Sequence, residues 1–171
     1  MKKVFAILLA LFVLTSGFRV TIDTNSKMKA IFIMNFTKLL EWPPSYRKNT
    51  FIIGVVGNSP IYKELEKMSA TKKVANQTLK VVKYDNISNI SDCHIVYLSQ
   101  NKSETLHSLT KKISSKSTLI ITEKEGLIDK GAGINFIVRN NRQKFELHKK
   151  NIEKHQLKIN STLEALALVV K

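Results

Sequence analysis

The sequence predicts one three-layer α/β domain, with a mixed, mostly parallel sheet flanked by helices and one C-terminal hairpin. Three observations carry this. Continuous apolar runs such as Phe51 to Gly57 (FIIGVVG) and Cys93 to Leu98 are bounded by turn residues, the pattern of strands buried on both faces. Segments of helical period alternate with these runs, which sandwiches a sheet between helices. Asn140-Asn141 stands between two extended runs, and Asn tolerates the positive φ of a hairpin turn.

The elements follow in order. Asn25 and Ser26 can cap a helix whose apolar face is Met28, Ile31, Phe32, Phe36, Leu39 and Leu40, at spacings of three and four. Pro43 forces Trp42 out of helical geometry and ends that helix. After a polar turn over Ser45 to Asn49 comes the strand Phe51 to Gly57. Ser59 then caps a short helix, Ile61 to Met68, with Pro60 in its first turn. Thr78 to Tyr84 and Cys93 to Leu98 read as strands. Ser103 to Ser114 is an amphipathic helix carrying Leu106, Leu109 and Ile113, and Ser117 to Thr122 is a fourth strand. Gly126, Gly131 and Gly133 mark a loop before the hairpin. His148 to His155 is a short polar helix and Leu157 to Asn160 a brief extended piece. Ser161-Thr162-Leu163-Glu164 has capping-box spacing and opens an apolar helix ending near Lys171.

With 171 residues and 43% hydrophobic content, one domain with a real core is expected. Residues 1–17 have the layout of a secretory signal peptide: Lys2 and Lys3, an apolar run from Val4 to Leu14, and the small exit Thr15-Ser16-Gly17. Residues 18–26 form a margin, and 27–171 the domain. No Cys at the exit supports lipidation. Removing 1–17 leaves 26 basic against 13 acidic residues, a net +13. The lysines are scattered without interleaved aromatics, so nucleic acid is not an expected partner. The surplus suits acidic partners, anionic membrane surfaces approached from outside, or solubility. Cys93 is the one cysteine, which excludes an intramolecular disulfide and CxxC metal sites and reads as a small buried hydrophobe.

No constellation for catalysis, a metal or a cofactor emerges. Gly131-Ala132-Gly133 leads into an extended run, where a dinucleotide loop would open a helix. His148 and His155 would lie two helical turns apart, roughly 10 Å, too far to share one ion. Cys93 and His94 are adjacent in a strand and point to opposite faces. Glu123 and Glu125 read as solvated acids, and no G-x-S-x-G elbow occurs. Gly57, Asn58 and Ser59 lie where a strand end feeds a helix start, a position at which α/β sheets bind ligands, although a plain capping turn accounts for them more simply. Trp42, past the helix end, is expected to cover the edge of the core half-exposed, with its N–H near water. Asn35 and Glu41 are then left for a partner or a buried polar bond.

The segments KAIFIMNFTKLLEWP, FIIGVVGNSP, SDCHIVYLS and GAGINFIVRNNRQKFELHKKNIEKHQLKINSTLEALALVV resemble the YfiR family in order and spacing, from about Lys29 to Val170. The resemblance rests on two signatures, Asn35-Phe36 with Glu41-Trp42-Pro43, and Ile134-Asn135-Phe136 with Phe145-Glu146 and Ser161. It implies an exported periplasmic α/β protein, homodimeric and not an enzyme. Its implied role is to repress an inner-membrane diguanylate cyclase by engaging the cyclase's periplasmic sensor region, lowering cyclic di-GMP and biofilm formation. The partner- or ligand-binding candidates are then Asn35, Glu41, Trp42, Gly57, Asn58, Ser59, Asn135 and Glu146, with no cofactor. Cys93 matches one family cysteine position but has no second cysteine here, so redox control through an internal disulfide is not expected. Two alternatives stay open: a periplasmic module binding a small molecule near Gly57 to Ser59 or beside Trp42, and an auxiliary subunit of an outer-membrane transporter or sensor histidine kinase.

Overall fold

The computed structural model describes residues 24–171. The expected signal peptide, residues 1–17, and its margin up to residue 23 lie outside the described residues.

Helix α1 (Thr24–Leu39) runs directly into a two-residue strand, β1 (Leu40–Glu41). Next come β2 (Thr50–Val56), α2 (Ile61–Ser69), β3 (Lys73–Val74), β4 (Gln77–Tyr84) and β5 (Ile95–Leu98). They are followed by α3 (Leu106–Lys112), β6 (Leu119–Thr122), β7 (Ile134–Arg139) and β8 (Arg142–Leu147). The chain closes with α4 (Lys149–Glu153), β9 (Lys158–Ile159), α5 (Ser161–Leu166) and β10 (Val169–Val170).

Eight strands form one mixed sheet in the order β10-β8-β7-β6-β5-β2-β4-β3. Its centre, from β4 to β7, is parallel; β3 runs antiparallel to β4 and β8 to β7, and β10 is parallel to β8. β1 and β9 make a separate antiparallel pair, Leu40 facing Ile159.

Alternation along the strands divides the core in two. Phe51, Ile53 and Val55, with Ile95, Tyr97, Ile121, Phe136 and Phe145, face α1 and α2. Val56, Val96, Leu98 and Ile120 face Leu106, Leu109 and Ile113 on the other side. α1 is seated through its aromatic rings: Phe36 meets Phe145 edge-on at 4.9 Å and Phe136 at 6.0 Å, and Phe32 meets Phe145 at 5.7 Å. The hairpin turn is as expected, with Asn140 and Asn141 at φ of 50° and 57°.

Several expectations are corrected. Asn25 and Ser26 lie inside α1, so they do not cap it. Of the expected α1 face, Phe36 and Leu40 are buried and Phe32 and Leu39 pack against the core, but Met28 and Ile31 are 40% and 37% exposed, and Ser26, Ala30, Ile33, Met34 and Thr37 complete the buried side instead. Met28 and Ile31 have the same helical spacing as the buried residues, so period alone could not set the edge of the face. The helix expected from Ser103 opens as a 3-10 segment over Gln100–Thr105 before α3. α5 is capped one residue early, by Asn160 Oδ1 accepting from the Thr162 N–H at 2.8 Å. It also stops at Leu166 instead of continuing to Lys171. Ala167 turns extended, and Leu168 N–H and Lys171 N–H donate to Phe145 O and Leu147 O, each at 2.9 Å. The free edge of β8 and the β-branched pair Val169-Val170 outweigh helix continuation.

Phe36 is 1% exposed at the centre of the ring cluster. Phe36→Ala is expected to lower the unfolding free energy by about 3–5 kcal/mol in urea titration, as other large-to-small core replacements do.

Candidate functional site

The sequence candidates fall at three separate places. Asn135 and Glu146 belong to a row across three strands, in register with Thr122. Thr122 Oγ1 donates to Asn135 Oδ1 at 2.7 Å, and Asn135 Nδ2 donates to Glu146 Oε2 at 3.0 Å. Thr122 and Asn135 are fully buried. Each amide and hydroxyl in the row has its partner, so it reads as a polar staple between β6, β7 and β8.

Asn58 and Ser59, which follow Gly57, border a crevice of about 410 Å³ with Ser26, Lys29, Pro60, Gln100, Asn101 and Glu123. From β2 the chain goes through α2 to β4 on one side, then crosses back to β5 on the other. The crevice therefore lies at the topological switch point, beyond the carboxyl ends of β2 and β5. Gly57 has φ of +88°, and a Cβ there would stand 2.3 Å from Ser99 Oγ, so only glycine fits. The polar groups around it are spent on one another. Ser99 Oγ lies 2.6 Å from Asn101 Oδ1, which also accepts from the Asn58 N–H at 3.4 Å. Lys29 pairs with Glu123, which accepts from the Gln100 N–H at 3.1 Å. Ser59 Oγ accepts from the Ile61 N–H at 3.4 Å, the capping role the sequence suggests. Glu123 is thus a paired, half-buried group and not the solvated acid expected.

Asn35 stands on the exposed side of α1, and Glu41 and Trp42 follow just past its end. Trp42 is not the half-exposed ring expected: it is 5% exposed, edge-on to Phe51 at 5.0 Å. The loop that follows folds back over it. Arg47 Nε donates to Trp42 O at 2.7 Å, and the Arg47 guanidinium pairs with Glu41. Tyr46 O accepts from Gln77 Nε2 at 3.1 Å and from His94 Nε2 at 2.8 Å. His94 Nδ1 accepts from the Ile52 N–H at 3.1 Å, so the ring is neutral with its proton on Nε2. Burial holds the His94 pKa below its ordinary value, against a smaller opposing effect of the Tyr46 carbonyl. Trp42 Nε1–H is buried and has no acceptor among the described residues.

Two adjoining hollows of about 200 and 390 Å³ open on this side and meet at Lys38. The first has an apolar floor of Ile31, Met34 and Met68, with Asn35, Lys38, Lys72 and Lys73 around it. The second passes over Leu40, Glu41 and Trp42 to Val74 of the edge strand β3. Sequence reasoning missed the three lysines, because a solvated lysine carries no pattern until α2 and β3 bring 72 and 73 beside α1. Among the described residues none of the three makes an ion pair. No His, Cys, Asp or Glu cluster of metal-binding size occurs among the described residues, and no helix there is long and apolar enough to cross a membrane.

The fold defines a single-domain α/β protein with a mostly parallel sheet. The chain belongs to the YfiR/HmsC-like family, whose profile matches residues 26–168. No curated protein matches it. Among solved structures it is similar to one described as the ABC domain in complex with L-Trp from Streptococcus pneumonia, at 12% identity and a TM-score of 0.56. That match covers 81% of this chain and 59% of the other, so this chain spans less than two thirds of it. At this identity the likeness is one of fold.

His94 and His155 are both buried with lowered pKa values, burial being the main cause in each. The unfolded chain takes up their protons first, near the ordinary value of about 6.5, so stability is full above that pH and falls below it. The urea midpoint is expected to drop between pH 7.5 and 5, and His94→Asn with His155→Asn to flatten that dependence.

Proposed function

We propose that this chain is an exported periplasmic regulator that binds and represses a membrane signalling partner, a diguanylate cyclase engaged through its periplasmic sensor region. The observation that carries this reading is the family match across nearly all of the described residues. A regulator of this kind needs differential affinity: it lowers output only by binding the inactive state of its partner more tightly than the active one. A shift from 99:1 to 1:99 takes roughly 10⁴-fold discrimination. The net positive charge favours fast encounter with an acidic periplasmic domain. The homodimer implied by the same resemblance belongs to this reading. The switch-point crevice supports a small-molecule role less well, because its polar groups already satisfy one another.

Deleting the protein is expected to raise cyclic di-GMP in the producing cell and increase surface attachment, measured by nucleotide extraction and a static biofilm assay. If neither changes, the repressor reading fails.

A further inference from the structure

The groove along α1 differs from the other two candidate places in one chemical respect: it leaves its charge unspent. Lys38, Lys72 and Lys73 are exposed and stand around the floor formed by Ile31, Met34 and Met68. The one acid along the adjoining hollow, Glu41, is taken by Arg47. The floor is adaptable, since two of its three side chains are unbranched thioethers that fill irregular gaps. The adjoining hollow is walled in part by Trp42, whose ring is 5% exposed.

We infer that this groove is a docking site for an acidic segment of a partner protein, one that seats an apolar side chain between α1 and α2 while its carboxylates face Lys38, Lys72 and Lys73. Charge complementarity selects the sign of the partner, because three unpaired cations with no free acid among them repel a basic segment. The shape selects a peptide over a bilayer. Met34 is 6% exposed and lies recessed, so an inserted side chain reaches it and a flat lipid surface does not. Asn35, on the same exposed side, offers an amide able to donate to the segment and accept from it. The inference rests on the repressor reading for the identity of the partner, but the recognition chemistry belongs to the groove itself.

Trp42 is the single tryptophan of the chain and lines the adjoining hollow, which meets the docking hollow at Lys38, so its emission reports a segment that runs through both. The probe is a synthetic peptide of glutamates with spaced leucines, compared with the same peptide carrying lysines and with vesicles of phosphatidylglycerol. The expected result is a saturable emission change with the acidic peptide only. It should weaken strongly between about 0.05 M and 0.5 M salt, as screened charge pairs do. The double variant Lys72→Glu/Lys73→Glu should weaken binding by about tenfold or more, through like-charge repulsion. Both side chains are exposed, so an unchanged urea midpoint verifies that the variant folds. Equal binding by the variant, a response to vesicles alone, or no response to the acidic peptide overturns the inference. The cellular arm separates the two readings. If deletion raises cyclic di-GMP and the double variant restores full repression, the groove assignment falls and the repressor reading stands. If deletion changes nothing while the acidic peptide still binds in the groove, the repressor reading falls and the groove stands.

Discussion

A parallel sheet has no face that tolerates water, and β2, β5 and β6 carry apolar residues on both sides. Covering them twice is the constraint on which the rest of the chain depends. α1 and α2 cover one face and α3 the other, and each helix is amphipathic only to the extent that its cover requires. Phe32 and Phe36 then reach across to Phe136 and Phe145, so the first helix is seated on strands formed a hundred residues or more later. The polar row of Thr122, Asn135 and Glu146 sits where the sheet passes from parallel to antiparallel pairing and joins the three strands side chain to side chain.

The strands were the legible part of the sequence. Runs such as Phe51 to Val56 and Leu119 to Thr122 have no competing explanation, because neither a surface helix nor a loop is apolar at every position. The terminal hairpin was legible from two asparagines. The face of α1 was legible only in part: Phe32, Phe36, Leu39 and Leu40 meet the core, but Met28 and Ile31 have the same spacing and their exposure is decided by where the neighbouring elements lie. β3 gave no signal. Its turn places Ala75 at φ of 49°, where Gly or Asn would have announced it. The end of α5 was hidden for a related reason: Leu166 to Val170 suits a helix or a strand, and the open edge of β8 settles the matter.

The candidate site followed the same division. Gly57 was legible because the turn needs it, and Asn35 because it stands off the apolar stripe. The protection of Trp42 was not, since it depends on Arg47 and Gln77 closing the loop over the ring from two directions. His94 was read as an ordinary strand histidine. Its part in holding Tyr46 became visible only when the loop lay against the residue that precedes β5. Isolated lysines are the least legible of all, because a charge gains meaning from the charges it lacks nearby.

The small ladder of β1 and β9 has a consequence for how the molecule comes to be folded. Leu40 lies opposite Ile159, and the Asn160 N–H donates to Leu39 O at 3.0 Å. The described chain is thus fastened near its beginning by residues close to its end, and the loop so closed spans nearly the whole domain. Chain entropy must be given up over that entire length before the contact returns anything. The last strands thus complete the cover of α1, whose remaining partners, Phe51, Ile53, Ile61 and Leu65, come from the first half of the domain.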